Sequence, residues 1–337
     1  MIDTLLECRD LRCELGPASR PVRLLRGISL SLRQGQSLGI VGESGAGKSM
    51  LIRAIMGLLP ASTRPSGEIL LDGQDLGRLG ERERRALLGR RVGMVFQNPM
   101  TSLNPFSRIG PQMEEASRFH LGLGRAEART RIVRLLGSVG IPDPEKACAR
   151  HPHQFSGGMK QRIMIAAALS CDPALLIADE ATTALDVTVQ KEVLDLLQYL
   201  QQQRGMSMIL VSHNLGVVAG RTDEVLVLYG GRVVEYGPTA EIFRRPRHRY
   251  TEALLAAMPR IDQPAHQPLR SIPGQPPAPV EAMPGCPFAP RCEVAETRCF
   301  ERMPGMTRSL DERHCFACHR PLAVTSVQPA ILQGGQA

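Results

Sequence analysis

Gly42-Glu43-Ser44-Gly45-Ala46-Gly47-Lys48-Ser49 fits the pattern G-x-x-x-x-G-K-[ST], and its setting fits as well as its letters. Ser37 to Val41 ahead of it is an apolar run of strand length. Met50 to Met56 behind it has helical character and stops at Gly57. Strand, glycine-rich loop and helix is the arrangement in which successive backbone N–H groups and a helix N-terminus surround a phosphate chain. Glycine lets the backbone approach the anion with no Cβ in the way. The pattern puts the Lys48 amine on the terminal phosphates and the Ser49 hydroxyl on Mg2+. Gly42, Ser44, Gly45, Gly47, Lys48, Ser49 and Met50 are therefore the candidate phosphate-binding residues. The plainer alternative is a tight strand-to-helix turn with a chance Lys-Ser pair; the flanking strand and helix argue against it.

The chain has 337 residues, of which 43% are hydrophobic. That suits a main domain with a sizeable core plus an appendage. The net charge is +8, and only four of the 41 basic residues are lysines. A basic balance can mean a nucleic acid or an anionic membrane surface. Here the arginines are spread along the chain and form no long block, which favours compositional bias. No run of eighteen apolar residues exists, so no segment is expected to span a membrane. Met1 to Glu7 lacks the basic start and apolar core of a signal peptide, and a cytosolic chain is expected. Its nine cysteines are then reduced thiols or metal ligands rather than disulfides.

Outward from the loop, Leu5–Leu15 and Ile28–Leu32 read as strands, as does Gly67–Gly73 between turn residues. Glu81–Leu88 reads as a charged helix and Arg91–Gln97 as a strand. From Asn98 to about Arg150 the pattern is helical, broken at Pro105, Gly110, Gly140 and Pro142. Ser156-Gly157-Gly158 then opens a helix continuing through Ile163 to Ser170, with Ser156 as N-cap and its backbone donors as a second candidate phosphate site. Ala174–Glu180 is almost wholly apolar and ends in two acids. A buried central strand of a parallel sheet looks like this, with its active groups at the carboxyl end. Asp179 can hold Mg2+ through water, and Glu180 is placed to accept a proton from an attacking water. Val187–Gln203 is a helix. Met206–His213 is another buried strand, ending in a histidine that we read as functional by analogy with the other strand ends. Val225–Leu228 and Arg232–Tyr236 form a hairpin around Gly230-Gly231, and helices follow at Thr239–Arg245 and Tyr250–Met258. From Pro259 to Pro284 proline removes all periodicity, as in a linker or a surface strap. Gly285 to about Pro321 is cysteine-rich and the remainder reads as loose.

Taken together, these motifs resemble the nucleotide-binding subunit of an ATP-binding cassette (ABC) transporter, with the resemblance covering about Leu5 to Met258. The phosphate loop is followed in order by Gln97, by Phe155-Ser156-Gly157-Gly158-Met159-Lys160-Gln161, by Asp179 and Glu180, by Ala184-Leu185-Asp186 and by His213. The resemblance implies an α/β P-loop fold: a RecA-like core, an antiparallel β subdomain, and a helical subdomain over about 98–170, together spanning 1–258. It implies ATP hydrolysis, with Glu180, His213 and Gln97 as catalytic residues. Gly42, Ser44, Gly45, Gly47, Lys48, Ser49, Met50, Gln97 and Asp179 would bind ATP, as would Ser156, Gly157 and Gly158 of an opposed subunit. Ser49, Gln97 and Asp179 would hold Mg2+.

A narrower resemblance, to the ATPases of dipeptide and oligopeptide importers, rests on Phe96–Pro105, Leu176–Thr188, Tyr250–Leu255 and Gly285–Cys292. Relatives of that group move nickel or glutathione. The resemblance implies two transmembrane permease subunits, a homologous second ATPase subunit, an extracytoplasmic solute-binding protein, no nucleic acid, and a place on the cytoplasmic face of the inner membrane. A soluble ABC ATPase acting on nucleic acid or ribosomes is the alternative from another class, and an exporter subunit is a further one. A single cassette argues against the first, and the cysteine-rich end against both. The pattern departs from the family at Phe155, Ala181 and Asn214. Leu15 or Cys13 falls where an aromatic ring stacks on adenine.

Within the segment 285–321, Cys286, Cys292, Cys299 and Cys318 are a four-thiol set able to suit tetrahedral zinc or a [4Fe–4S] cluster. Cys315 and Cys318 form one C-x-x-C pair, which keeps zinc open; free cysteines are the plainer alternative. The family resemblance favours the cluster, with Cys318 as fourth ligand. Residues 259–284 are the linker and 322–337 a flexible tail.

Overall fold

A computed structural model describes residues 4–17, 19, 21–97, 102–182, 186–258, 271–278, 283–309 and 313–323. Ala184 and Leu185 lie outside the described residues, as do 98–101, much of the expected linker and most of the expected tail.

In chain order the strands and helices begin with β1 (Thr4–Leu15), β2 (Val22–Arg33), β3 (Ser37–Val41), α1 (Lys48–Ile55), β4 (Thr63–Leu71), β5 (Gln74–Asp75), α2 (Glu81–Arg91) and β6 (Val92–Val95). The helical stretch holds α3 (Ile109–Leu121), α4 (Arg125–Ser138), α5 (Pro144–Cys148) and α6 (Gly157–Ala168). Next come β7 (Leu175–Asp179), α7 (Val187–Arg204), β8 (Ser207–Ser212), α8 (Leu215–Val218), β9 (Glu224–Tyr229), β10 (Arg232–Pro238), α9 (Thr239–Arg244) and α10 (Arg249–Ala256). The cysteine-rich end adds α11 (Thr297–Glu301), β11 (Thr307–Arg308) and β12 (Cys315–Phe316).

The chain divides into two compact units. One comprises Met1–Leu6, Ser31–Gln36 and Leu70–Val211; the other comprises Glu7–Leu30, Ser37–Ile69 and Ser212–Ala337.

In the first unit β6, β7 and β8 run parallel, with Met94 opposite Ile177 and Ile177 opposite Ile209. Leu175, Leu176, Ile177 and Ala178 have no exposed surface, as the unbroken apolar run demands of a strand covered on both faces. The helices of this unit bury Ile132 and Leu136 of α4 and Ile163 and Ile165 of α6. α6 begins at Gly157, earlier than the apolar run alone implies, because Ser156 caps it there: its Oγ accepts from Met159 N at 3.3 Å. The α7 start is built in the same way, with Asp186 Oδ1 accepting from Val189 N at 3.0 Å.

In the second unit β3 lies parallel to β9, with Ile40 opposite Leu226, and β10 returns antiparallel to β9. The cysteine-rich end adds strands to this sheet. β12 pairs antiparallel with β10, Glu235 opposite Phe316, and β11 pairs with β12. Two-residue strands carry no alternation for a sequence to reveal; their partner strand creates them. The join is reinforced at Glu235, which has no exposed surface. Its Oε1 accepts from Arg247 N at 2.6 Å and meets His314 Nε2 at 2.6 Å, and its Oε2 accepts from His248 N at 3.0 Å. Arg247 also stacks over Phe316, 4.7 Å from the ring centroid. Leu322, expected in a flexible tail, donates its N–H to Arg247 O at 3.1 Å.

Candidate functional site: a phosphate loop and a pair of strand-end acids

The phosphate loop belongs to the second unit. Leu38, Ile40 and Val41 of β3 are fully buried, so the chain leaves the sheet core and must turn at once into α1. Gly47, at φ +106, is the N-cap of α1, a left-handed conformation that a side chain would strain. A Cβ on Gly42 would stand 2.3 Å from Leu228 O, so the loop rests directly on β9. The β9–β10 turn supports it from a second side, Gly231 N donating to Ala46 O at 3.0 Å. The first-turn amides of α1 have no intrahelical acceptor, which is the general condition for anion binding at a helix start. The Lys48 amine folds back over the loop and donates to Gly42 O at 2.7 Å and to Glu43 O at 3.1 Å. His213 is exposed just past the end of β8, and Asn214 caps the short helix after it, its Oδ1 accepting from Gly216 N at 2.8 Å.

Sequence reasoning missed what stands behind this loop. Glu43 N donates to Tyr250 Oη at 2.8 Å, and Arg291 grips the Glu43 carboxylate with both terminal nitrogens, at 2.6 Å and 3.1 Å. Tyr229 and Tyr250 pack with ring centroids 4.4 Å apart, and Phe288 stands 5.4 Å from each. Burial, opposed in part by the Glu43 amide, pushes the Tyr250 phenol well above its ordinary range. The one available signal was the placement of Tyr250 and Arg291 in two of the stretches that resemble peptide-importer ATPases, in a chain with only four tyrosines. Nothing local ties either residue to Glu43.

The acids belong to the first unit. β7 ends at Asp179, and Glu180 follows in a left-handed conformation, φ +46, uncommon for a side-chain-bearing residue and frequent at functional positions. Its N–H is held by Val211 O at 3.1 Å. The Gln97 amide, just past β6, donates Nε2 to Glu180 Oε2 at 2.7 Å, so two of the three expected catalytic residues meet directly. Gly158 has a packing reason of its own, since a Cβ there would approach Val189 Cγ1 to 2.9 Å. Of the two positions where adenine stacking is expected, Cys13 has no exposed surface and Leu15 is partly exposed. Only Leu15 can offer an apolar contact.

Burial pushes the Cys286 thiol up to about 11; a backbone bond from Phe288 opposes this, and Cys318, Cys299 and Cys292 push it further. Cys318 likewise senses Cys292. Cys315 lies in β12, opposite Tyr236 and Arg308. As donors, four soft sulfurs suit zinc or an iron–sulfur cluster. Among the described residues, however, no three or more His, Cys, Asp or Glu side chains are gathered as a metal-holding group, so the expected cluster geometry is not assembled in this structure. The oxygen donors Ser49, Gln97 and Asp179 are of the hard type that Mg2+ takes.

Comparison with known proteins agrees with this architecture. The "ABC transporter" family model matches residues 25–183, and that for "Oligopeptide/dipeptide transporter, C-terminal region" matches residues 234–299. The chain is 46% identical over 319 residues to the dipeptide transport ATP-binding protein DppD of Escherichia coli K12, covering 94% of this chain and 97% of that protein. It is 44% identical to the oligopeptide transport ATP-binding protein OppD of Salmonella typhimurium, over 95% of each. Among solved structures, the ATP-binding cassette MJ0796 bound to ADP and Pi superposes with a TM-score of 0.62 at 24% identity, covering 70% of this chain and 99% of the other. CbiO1 from Clostridium perfringens gives 0.62 at 29% identity, covering 72% and 91%. The chain belongs to the ABC transporter ATP-binding proteins, in their oligopeptide/dipeptide branch. It has the ABC ATPase fold, and its activity is ATP hydrolysis.

Proposed function

We propose that this ATPase energises the import of di- or oligopeptides. It would be one of two cassettes docked beneath two permease subunits on the cytoplasmic face of the inner membrane, served by an extracytoplasmic solute-binding protein. The observation that carries the reading is the presence on one chain of the phosphate loop and of the oligopeptide/dipeptide C-terminal region. No described helix is long and apolar enough to cross a membrane, so the solute path would belong to other chains. We assign residues 1–258 to the nucleotide-binding domain, 259–284 to a linker and 285–321 to the cysteine-rich segment.

The amides of Gly45, Gly47, Lys48 and Ser49 and the Lys48 amine would hold the β- and γ-phosphates. Lys48 would exchange its two carbonyl partners for phosphate oxygens. Ser156, Gly157 and Gly158 of the opposed cassette would close over the γ-phosphate, and His213 would contact it. Phosphoryl transfer depends on positioning and charge stabilisation. The 2.7 Å hydrogen bond from Gln97 would orient Glu180, whose carboxylate would take the proton of the attacking water as the water oxygen bonds to the γ-phosphorus and the bond from the γ-phosphorus to the ADP oxygen breaks. Mg2+, held through Ser49, Gln97 and Asp179, would supply compensation for phosphate charge. Closure follows ATP binding, and release follows loss of the γ-phosphate that bridges the cassettes.

Cys286, Cys292, Cys299 and Cys318 would hold a [4Fe–4S] cluster, or zinc in its place, which when bound supplies a structural cross-link; four soft thiol donors within one short segment motivate the reading. Native mass spectrometry of the complex purified from its membrane tests the function. Expected are two permease subunits, one copy of this chain and one of a homologous cassette. Two copies of this chain would overturn the heterodimer, and recovery with ribosomes or nucleic acid and no permease would overturn transport.

A further inference from the structure

Arg291 lies between Cys286 and Cys292 in sequence, in a short turn at Ala289–Arg291. It is an unusual place for an arginine: the side chain is only 4% exposed. All five guanidinium N–H donors have acceptors. Nε donates to Pro273 O at 2.8 Å. One terminal nitrogen donates to Glu43 Oε2 at 2.6 Å and to Tyr229 Oη at 3.0 Å. The other donates to Glu43 Oε1 at 3.1 Å and to Ile272 O at 3.2 Å. A buried charge is tolerable only when paired and hydrogen-bonded in this manner.

The partner is what makes the contact informative. Glu43 is the second residue of the phosphate loop, and its carboxylate is three-quarters buried, at 25% exposure. An acid in an anion-binding loop opposes the anion. Its own backbone is part of the cradle, since Glu43 O accepts from Lys48 Nζ and Glu43 N is pinned by Tyr250. The forked contact turns the carboxylate toward the cysteine-rich segment and compensates its charge where solvent screens it little.

We propose that Arg291 is a positioning residue for ATP binding: it neutralises and orients Glu43, so that the cysteine-rich segment sets the charge and shape of the phosphate loop. This rests on the reading of that loop as the ATP site. The segment is then a part of the nucleotide site through the Arg291–Glu43 contact.

The test is ATP affinity of the full-length chain by calorimetry, with thermal unfolding alongside. Lys48→Ala tests the underlying reading and should abolish binding. Arg291→Gln should weaken ATP binding about tenfold, near the low end of the cost of leaving a partly buried charge unpaired. Glu43→Gln/Arg291→Gln should regain most of that loss, to within about threefold of Glu43→Gln alone, because the uncompensated acid is gone. Arg291→Lys, which keeps the charge and gives up the fork, should fall between, and it decides the matter if Arg291→Gln does not fold. An Arg291→Gln affinity equal to that of the natural chain, while Lys48→Ala fails to bind, would overturn the proposal. A loss that Glu43→Gln does not relieve, or an Arg291→Lys no better than Arg291→Gln, would reduce Arg291 to a structural anchor. Unaltered binding in Lys48→Ala would instead remove the loop assignment itself.

Discussion

Replacing Glu235 by glutamine should unfasten the cysteine-rich segment from the sheet. The natural carboxylate accepts three hydrogen bonds in a fully buried position: two backbone N–H groups and His314 Nε2. Glutamine has one acceptor oxygen. Left on the side of Arg247 N and His314, it points its own NH2 at the N–H of His248. One buried donor then faces another donor, and the remaining bonds lose their charge assistance. An unsatisfied buried N–H costs about 1–3 kcal/mol and a charge-assisted bond about 1.5–3, so the substitution should cost about 3–5 kcal/mol. That is a large fraction of the roughly 5–15 kcal/mol that holds a domain together. Because the three donors join β10, the start of α10 and the chain just before β12, the loss should appear first as local opening. The assay is urea unfolding of the purified chain together with timed trypsin digestion. Early cleavage at Arg308 or Arg313, ahead of global unfolding, is expected. A midpoint shift worth under about 1 kcal/mol with unchanged digestion would refute the argument that this carboxylate is the fastening.

Glu180→Gln should keep ATP binding and lower turnover of the assembled transporter by about two to four orders of magnitude, the usual cost of losing a positioned base; turnover within about threefold of the natural protein would remove Glu180 from that role. Anaerobically purified protein should be brown, absorbing broadly near ~400 nm. Cys292→Ser should bleach it and Cys315→Ser should not, and colourless protein with stoichiometric zinc would replace the cluster by zinc. His248 adds a pH dependence. Burial holds its imidazole down to about 4 against the upward pull of Glu235, and its Nδ1 accepts from Tyr250 N at 3.0 Å, as a neutral ring must. The unfolded chain binds the extra proton from about pH 6.5 downward, so the stability is fully present above that pH. It is lost as pH falls toward 4, by roughly 3 kcal/mol in all. Equal unfolding midpoints at pH 7 and pH 4.5 would contradict it; His248→Asn, which can still cap α10, should flatten this part of the profile.

Much of the site is legible in the order of residues alone. Ser37–Val41 is β3 to the residue, because five consecutive buried positions leave a short run with no charged side chain, bounded by turn residues. Ser156 is the cap of α6, because a hydroxyl ahead of two glycines has a local N–H to accept. The apolar run ending in Asp179 and Glu180 is β7 and its exit. Hydrophobic period, capping and turn chemistry are interactions among near neighbours in the chain, and they are written in order along it.

Tertiary structure decided the rest. The φ of +46 at Glu180 and its meeting with Gln97, 83 residues away, depend on parallel strands being in register. β12 exists only because β10 offers it an edge. The link between Glu43 and Arg291 spans 248 residues. A sequence can mark each of those two as charged, but a buried ion pair is defined by the desolvation of both partners at once, and that condition is met only when the chain has closed around them.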